Sequence, residues 1–359
     1  PAFSINLSPG VLVFKKSQNN VMHASAKITA FTDLSTRYFN VFLPHNNAFD
    51  NKQLGPLKLK QNAIYTIDIP LSRKVKEVNG EILQTSGGEN GKDIIPASVE
   101  IGTGTDPRTD VYGNNKDMAT ISYDHIPVIR YFYQDSITIL HLDVKTTGKK
   151  AGYIKGAGDK VPEAMEQLGY QITYLQENDI NAEFLKQFDV IVTGIRAYNM
   201  HEWLPSRYDV LMDYVKNGGN LVVQYNTNSF VGPMKTAKIG PYDMTILNSR
   251  ITDEDAPMNI IDPKHPLLNE PNKISAKDFE GWIQERGIYF ADKFAPEYKP
   301  VFALRDPGET EDRVGSLLMA KYGKGRFIYT GLVFFRELPA GVPGAYRLFA
   351  NLLSNPNSK

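Results

Sequence analysis

The chain has 359 residues, of which 42% are hydrophobic and 22% are charged, with 40 Lys and Arg against 40 Asp and Glu. A formal net charge of zero gives no electrostatic basis for binding nucleic acid or an anionic membrane. No apolar run approaches the roughly 20 residues that a membrane helix needs. The absence of cysteine excludes disulfides, thiolate metal sites and a cysteine nucleophile. The length suits about two domains, and the first residue, Pro1, indicates a processed or excised fragment.

The first part of the chain, residues 1–147, has the pattern of a β domain. Short apolar or alternating runs recur between turn-rich pieces, and no stretch carries a helical stripe. The predicted strands lie at 4–7, 11–14, 24–31, 38–43, 64–69, 97–101 and 137–144. Strands at such spacing predict an antiparallel, immunoglobulin-like β-sandwich. A polar hinge at 146–150 places the domain boundary near Thr147.

The second part, residues 148–359, alternates apolar strands with amphipathic helices. Predicted strands lie at 151–154, 172–175, 189–193 and 221–223, and a hairpin around residues 322–325 adds an antiparallel edge. One helix carries Leu204, Tyr208, Leu211 and Val215 on a single stripe and ends at Gly218–Gly219. Other helices are predicted at 159–168, 182–187 and 344–353. This succession predicts a doubly wound α/β domain with a mostly parallel sheet.

Polar loops follow two neighbouring strands of this predicted sheet. In an open parallel sheet, ligands bind beyond the carboxyl ends of the strands. The ligand-binding candidates from these loops are Arg196, Tyr198, Asn199, Tyr225 and Asn226. None of them is a usual acyl-transfer nucleophile, so we expect a binding site and no catalytic residue here.

Arg336 follows a further strand and lies at the same edge if that strand runs parallel. Together with Arg196 it would then clamp a carboxylate or a phosphate. The alternative is that these arginines pair with Glu202 or Glu337.

Segment 278–287 combines carboxylates with one of the two tryptophans of the chain. Carboxylates beside an aromatic ring suit sugar hydroxyls and the apolar face of a sugar ring. Asp278, Glu280 and Trp282 are therefore also candidates for a carbohydrate-binding cleft. The alternative is a half-buried tryptophan with salt-bridged neighbours.

Other motifs give no cofactor or metal site. The six histidines show no zinc-ligand spacing, and Gly156–Ala157–Gly158–Asp159 lacks the third glycine of a dinucleotide loop, because position 161 is valine. A tight turn from strand to helix is favoured there. The acids of 252–255 would hold a cation, hydroxyls or a basic partner, or form a solvated loop. We expect no metal and no cofactor.

Long stretches of the second part resemble a known family. They are GYIKGAGDKVPEAMEQLGY, DVIVTGIRAYN, NGGNLVVQYNT, DPKHPLLNEPNKISAKDFEGWIQERGIYFADK and KYGKGRFIYTGLVFFRELPAGVPGAYRLFANLL. They resemble the C-terminal region of Bacteroidetes-type PIG-L (LmbE-like) deacetylases, almost continuously over residues 148–359. The resemblance implies a β-sandwich followed by a class I glutamine amidotransferase-like, ThuA-like domain. It also implies an extracytoplasmic location.

The family resemblance implies a non-catalytic role for this chain. The family's catalytic domain is N-terminal, carries an A-H-P-D-D-type zinc motif and acts on N-acetyl groups of amino sugars, and this chain has no such motif. The amidotransferase cysteine would fall at about Tyr225. The leading hypothesis is an accessory region that binds an amino sugar or glycan, or positions the upstream deacetylase domain of the same parent chain. The alternatives are a metal-independent hydrolase that uses Asp278 and Glu280 on a glycan, and a structural assembly module.

Overall fold

The computed structural model describes residues 3–15, 21–35, 38–42, 52–54, 58–72, 76–78, 81–83, 92–96, 98–102, 111–113, 116–230 and 232–355. The chain divides into two compact units, Pro1–Asp143 and Val144–Lys359. The predicted boundary near Thr147 lies just after this division. Among the described residues, no helix is long and apolar enough to cross a membrane.

The described part of the first unit consists of strands and their connections. The longer strands overlap the seven predicted ones. They are β1 Phe3–Ser8, β2 Val11–Lys15, β3 Val21–Ala30, β4 Leu34–Ser35, β5 Tyr38–Phe42, β6 Lys52–Leu54, β7 Lys58–Leu59, β8 Ile64–Ser72, β9 Lys76–Val78, β10 Glu81–Leu83, β11 Lys92–Pro96, β12 Ser98–Gly102, β13 Val111–Gly113, β14 Lys116–Ile121, β15 Ile129–Gln134 and β16 Ser136–Leu142.

The strands of the first unit form several small sheets, including β1-β3-β8, β11-β16-β2 and β13-β12-β5-β6. On β3 the predicted alternation is confirmed, since Ala24, Ala26, Ile28 and Ala30 are buried while Lys27 is exposed. However, β2 pairs with β16 in parallel, where the sequence predicted antiparallel pairing. The immunoglobulin-like arrangement is therefore not shown.

The second unit alternates strands and helices. Its strands are β17 Lys150–Ile154, β18 Gln171–Tyr174, β19 Val190–Thr193, β20 Asn220–Gln224, β21 Met244–Ile246, β22 Arg250–Ile251, β23 Asn259–Ile260, β24 Gly287–Ile288, β25 Ala291–Phe294, β26 Lys299–Pro300, β27 Phe302–Ala303, β28 Leu317–Tyr322 and β29 Gly325–Thr330. Its α-helices are α1 Val161–Gln167, α2 Ala182–Leu185, α3 Ala197–Met200, α4 Tyr208–Lys216, α5 Pro266–Asn269, α6 Phe334–Glu337 and α7 Pro343–Leu353. Short 3₁₀ turns span Glu177–Asp179, Leu204–Arg207, Gly232–Lys235 and Ala276–Phe279.

A seven-stranded mixed sheet organises the second unit, in the order β18-β17-β19-β20-β29-β28-β26. The first five strands are parallel to one another, and β28 runs antiparallel to both β29 and β26. The mostly parallel sheet with an antiparallel hairpin edge is thus confirmed. When the five parallel strands are numbered by their order in the chain, they lie side by side as 2-1-3-4-5. Sheets with this strand order bind ligands in a crevice at the carboxyl ends of the strands.

Local sequence signals explain helix α4, which connects β19 to β20. On α4, Leu211 and Val215 are fully buried, as the apolar stripe predicted. The helix ends in two bonds, from Gly218 N to Val215 O and from Gly219 N to Tyr214 O, both 2.9 Å. These are the bonds of a Schellman motif, and Gly218 has the positive φ of 116° that the motif requires. The predicted glycine C-cap is therefore confirmed.

The C-terminal helix α7 packs its Ala345, Leu348, Phe349 and Leu352 into the core, each fully buried. The guanidinium of Arg326, on β29, donates to the carbonyl oxygens of Asn351 at 2.9 Å and Leu352 at 3.2 Å, and to that of Ser354. The last carbonyls of a helix have no partner within the helix. Arg326 thus caps the C-terminal end of α7 from the neighbouring sheet.

Candidate functional site

The loops that follow β19 and β20 are bonded to each other. The backbone amide of Arg196 donates to the carbonyl oxygen of Tyr225 at 2.7 Å. The backbone amide of Tyr198 donates to Oδ1 of Asn226 at 3.0 Å. The parallel pairing of β19 with β20 brings these residues together, as the sequence predicted.

Three of the predicted ligand-binding residues serve to join these loops. Nδ2 of Asn199 donates to Oγ1 of Thr227 at 2.6 Å, and its Oδ1 accepts from the backbone amide of Thr227 at 2.9 Å. Asn226 and Tyr198 are fully buried. Because their side chains are occupied or enclosed, the prediction that Tyr198, Asn199 and Asn226 contact a ligand directly is corrected. They position the loops.

Three aromatic rings gather beyond the ends of β20 and β29. The ring of Tyr225 stacks on that of Tyr289, with centroids 5.6 Å apart and an interplanar angle of 18°. It also packs against Phe335 at 5.4 Å. The guanidinium carbon of Arg336 lies 4.9 Å from the centroid of the Phe335 ring, a cation–π contact. Since β29 is parallel to β20, Arg336 lies at the predicted edge.

Arginines and one buried glutamate surround these rings. Oε2 of Glu285 accepts from Nε of Arg250 at 3.2 Å and from its Nη2 at 2.5 Å. Oε1 of Glu285 lies 3.4 Å from Nε of Arg336. Arg336 therefore pairs with Glu285, and Nη1 of Arg336 donates to Gln284, instead of pairing with Glu202 or Glu337. The side chain of Glu285 is only 4% exposed, so its charge is compensated by these two arginines.

Arg196 completes this group of charges. It is exposed, and no ion pair or hydrogen bond of its guanidinium is found among the described residues. Burial raises the pKa of Tyr225, whereas the charges of Arg196 and Arg336 oppose that rise. Both guanidinium groups therefore act on the Tyr225 hydroxyl. We name the carboxyl-edge cluster by its seven members, Arg196, Tyr225, Arg250, Glu285, Tyr289, Phe335 and Arg336.

Left-handed backbone is concentrated at this cluster. Among the described residues, the non-glycine residues with positive φ are Asn62 (64°), Arg196 (58°), Gln284 (67°) and Tyr289 (54°). Two of them belong to the carboxyl-edge cluster, and Gln284 bonds to Arg336. Such a conformation costs a residue other than glycine about 1–2 kcal/mol and is typical of functional sites.

Replacing Arg196 with glycine is expected to leave the free energy of unfolding unchanged or to raise it by about 1 kcal/mol. Glycine adopts positive φ without strain, and the bond from the residue 196 amide to Tyr225 does not need a side chain. Urea denaturation measures this. The matched control is Asn62→Gly, at a similar φ but with a residue that tolerates it, so a smaller change is expected. A loss above about 1 kcal/mol in Arg196→Gly would show that the side chain supports the fold.

The predicted residues of segment 278–287 do not join the carboxyl-edge cluster. Oδ2 of Asp278 accepts from the backbone amide and the hydroxyl of Ser275, and Oδ1 accepts from Nε of Arg347 at 2.7 Å. The indole of Trp282, 3% exposed, donates to the carbonyl oxygen of Asp278 at 3.0 Å. Glu280 is exposed just beyond the 3₁₀ turn.

This placement corrects the interpretation of Asp278, Glu280 and Trp282 as residues of a sugar cleft. The Asp278 carboxylate caps a turn and holds an arginine, so it is not available to a substrate. The alternative interpretation, a half-buried tryptophan with salt-bridged neighbours, holds for the ion pair of Asp278 with Arg347, whereas Trp282 is fully buried. The structure therefore does not bring Asp278 and Glu280 together as an accessible pair of carboxylates.

The Gly156–Asp159 motif forms a tight turn. A Cβ atom on Gly156 would lie 1.9 Å from the carbonyl oxygen of Ile195, so only glycine fits. Asp159 accepts from the Tyr153 hydroxyl at 2.7 Å and from the backbone amides of Val161 and Ile195. The motif fastens the start of α1 to the loop after β19. Among the described residues, no three His, Asp or Glu side chains are grouped so that they would hold a metal ion.

Arg250, Glu285, Tyr289 and Phe335 were not predicted. The first three lie in the irregular stretch between β20 and β28, where no periodic pattern marks an element. Phe335 is adjacent to the predicted Arg336 in the segment that follows the buried strand β29, so its position gave a usable signal.

A cavity of about 390 Å³ lies at the opposite edge of the sheet, lined by Asp189, Asp213, Tyr214, Gly218 and other residues near the amino ends of β19 and β20. It contains neither the stacked rings nor the arginines. Ligands of such sheets bind at the carboxyl ends of the strands. The carboxyl-edge cluster is therefore the better candidate site.

Comparisons with known proteins do not give a family for this chain. Neither a family model nor a curated protein matches the sequence. A putative GMP synthase subunit from Thermoplasma acidophilum aligns at 9% identity and a TM-score of 0.37, over 58% of this chain and 94% of that one. A β-galactosidase from Rahnella sp. R3 aligns at 10% identity and a TM-score of 0.33, over 58% of this chain and 31% of that one. A β-galactosidase from Bacillus circulans sp. alkalophilus aligns at 13% identity and a TM-score of 0.31, over 59% of this chain and 31% of that one.

Proposed function

We propose that the second unit is a non-catalytic carbohydrate-binding module and that its ligand site is the carboxyl-edge cluster. The observation that carries this proposal is the stacking of Tyr225 on Tyr289, with Phe335 beside them and arginines around them, at the edge where sheets of this kind bind ligands.

The chemistry of the cluster suits a sugar. The apolar face of a sugar ring packs on aromatic rings, and its hydroxyl groups accept hydrogen bonds from guanidinium donors. Tyr289 and Phe335 are only partly buried, so their rings are open to contact. Burial raises the pKa of Tyr225, so the phenol stays neutral at pH 7 and serves as a hydrogen-bond donor.

We further propose that this unit is of the class I glutamine amidotransferase-like, ThuA-like type and has lost amidotransferase chemistry. The 2-1-3-4-5 order of its parallel strands supports the type of sheet. By the sequence resemblance, the family's cysteine would fall at about Tyr225, and the chain contains no cysteine. A neutral phenol cannot replace a thiolate nucleophile.

The remainder of the proposal rests on the sequence resemblance. The chain is the accessory region of an extracytoplasmic PIG-L-type N-acetyl sugar deacetylase. It would bind an amino sugar or glycan and so hold the substrate near the upstream deacetylase domain of the parent chain.

The test is calorimetric titration of the full chain with glucosamine, N-acetylglucosamine and their short oligomers. Wild type should bind one of these ligands, and Tyr289→Leu should bind about tenfold more weakly because a stacking face is lost. The matched control is Tyr322→Leu, a similarly half-buried tyrosine at the opposite edge of the sheet, which should retain wild-type affinity. Thermal melts of each free variant separate loss of binding from loss of fold. No binding by any member of the panel would remove amino sugars as the ligand, and an equal loss in both variants would disprove the carboxyl-edge cluster as the site.

A further inference from the structure

The carboxyl-edge cluster carries an excess of positive charge in a chain whose formal net charge is zero. It contains three arginines, Arg196, Arg250 and Arg336, and one carboxylate, Glu285. Two other carboxyl groups interact with this region. Glu254 accepts from the backbone amide of Gln284, and Glu337 is mostly protonated at pH 7, because burial raises its pKa to about 8. The charged groups of the cluster therefore sum to +2, from three guanidinium groups and one carboxylate.

The carboxylate of Glu285 is already paired with two arginines. Nε and Nη2 of Arg250 both donate to Oε2 of Glu285, and Oε1 of Glu285 lies near Nε of Arg336. Glu285 is buried, so it has no freedom to turn toward Arg196. Arg196 thus remains an exposed cation with no acidic partner among the described residues, beside a tyrosine hydroxyl on which its charge acts.

The backbone conformation of Arg196 also indicates that its guanidinium group has a role. The residue has φ of 58° at the amino end of α3, a conformation that glycine adopts at lower cost. The backbone amide, which bonds to Tyr225, would be supplied equally well by glycine. What arginine adds at this position is a guanidinium group, which binds carboxylates with two parallel hydrogen bonds.

We propose that the ligand of the carboxyl-edge cluster is an acidic sugar, whose carboxylate is bound by Arg196 and Arg336 while its ring packs on Tyr289 and Phe335. This inference rests on the proposed function and narrows the substrate class from sugars in general to uronic acids. Arg250 then holds Glu285, which keeps the Arg336 guanidinium in place over the Phe335 ring.

The test compares galacturonic acid trimers with neutral galactose trimers by calorimetry on the full chain. The acidic trimer should bind at least about tenfold more tightly at low salt, and its advantage should shrink as salt is added, because exposed charge pairs are screened. Arg196→Gln should remove the preference for the acidic trimer by weakening acidic binding about tenfold, while neutral binding weakens less, because the glutamine amide still donates to a hydroxyl group. Arg196→Lys should recover only part of it, since an ammonium cannot make the bidentate contact. The control Arg305→Gln removes another exposed arginine, which pairs with Asp312, and should change neither affinity.

The outcomes separate this inference from the proposal on which it rests. Equal affinity for both trimers, or an Arg196→Gln variant that still prefers the acidic one, overturns the acidic-sugar inference and leaves a neutral carbohydrate site. Absence of binding to either trimer and to the amino-sugar panel overturns both.

Discussion

Arg326→Met is expected to lower the free energy of unfolding of the second unit by about 4 kcal/mol. The guanidinium of Arg326 is the shared donor for three carbonyl oxygens at the end of α7, and its Nε donates to Oδ1 of Asn220 at 3.1 Å. Burial lowers the pKa of Arg326 to about 10, so it remains charged at pH 7. Methionine fills the space of the stem but removes the donor to the carbonyl oxygen of Asn351 and to Oδ1 of Asn220, at about 1–3 kcal/mol each before relaxation. The carbonyl oxygen of Leu352 keeps a bond from Nδ2 of Asn220 at 2.8 Å.

Tryptophan fluorescence during urea denaturation measures this loss selectively, because Trp203 and Trp282 both belong to the second unit. The control is Arg305→Met. Arg305 is half exposed, and its Nε lies 3.7 Å from Asp312, so removing it should cost less than about 1 kcal/mol. If Arg326→Met were no more destabilising than Arg305→Met, the capping role assigned to Arg326 would be wrong.

Glu337→Gln is expected to remove a dependence of stability on pH that the wild-type protein shows between pH 7 and 9. Glu337 is fully buried on α6, and both its oxygens lie within 3.2 Å of the backbone amide of Ile283. Burial raises its pKa to about 8, while the Ile283 bond and the charges of Arg286 and Arg336 oppose that rise. At pH 7 the carboxyl group is therefore mostly protonated in the folded protein.

The raised pKa of Glu337 determines the direction in which stability changes with pH. A carboxyl group whose folded pKa lies above its unfolded value stabilises the fold fully below the unfolded pKa and loses that contribution as pH rises through about 8. The wild-type protein should thus lose about 1 kcal/mol between pH 7 and 9. Glutamine keeps an acceptor for Ile283 and does not titrate, so the variant should be insensitive to pH in this range and the more stable protein at pH 9.

The window starts at pH 7 because a histidine acts in the opposite direction below it. His265 is buried, and burial lowers its pKa, so its contribution to stability is lost as pH falls. Fluorescence-detected urea denaturation at pH 7, 8 and 9 isolates the carboxyl group. Parallel pH profiles for wild type and Glu337→Gln would contradict the assignment to Glu337.

Local signals in the sequence predicted the second unit well. The residues of β19 and β20 form short apolar runs, and the buried residues of α4 have helical spacing. Gly218 ends α4 with the positive φ that glycine readily adopts. Each of these elements is therefore determined by its own residues. The first unit was predicted less well because sheet pairing is not local. Nothing in the run 11–14 indicates that it will lie parallel to β16. The strand β15 was missed because its residues are all exposed and show no alternation of burial.

The site was predicted in part for the same reason. Arg196, Tyr225 and Arg336 lie in the segments that follow β19, β20 and β29, and the order of strands in a parallel sheet places such residues at one edge. Glu285 and Tyr289 reach that edge from a loop with no periodic pattern, so only the folded chain brings them there. The prediction for Asp278 and Trp282 was wrong because residue type alone does not show which partners a side chain will have. The carboxylate of Asp278 caps a turn and pairs with Arg347.

The bonds between the loops after β19 and β20 have a kinetic consequence. Asn199 and Thr227 hold each other through two hydrogen bonds, and Asn226 holds the backbone of Tyr198. A ligand that enters at this edge meets loops that are already ordered, so it loses little affinity to the entropy of fixing them. Association then needs no slow rearrangement of these loops, and differences in affinity among ligands should arise mainly from how fast each one dissociates.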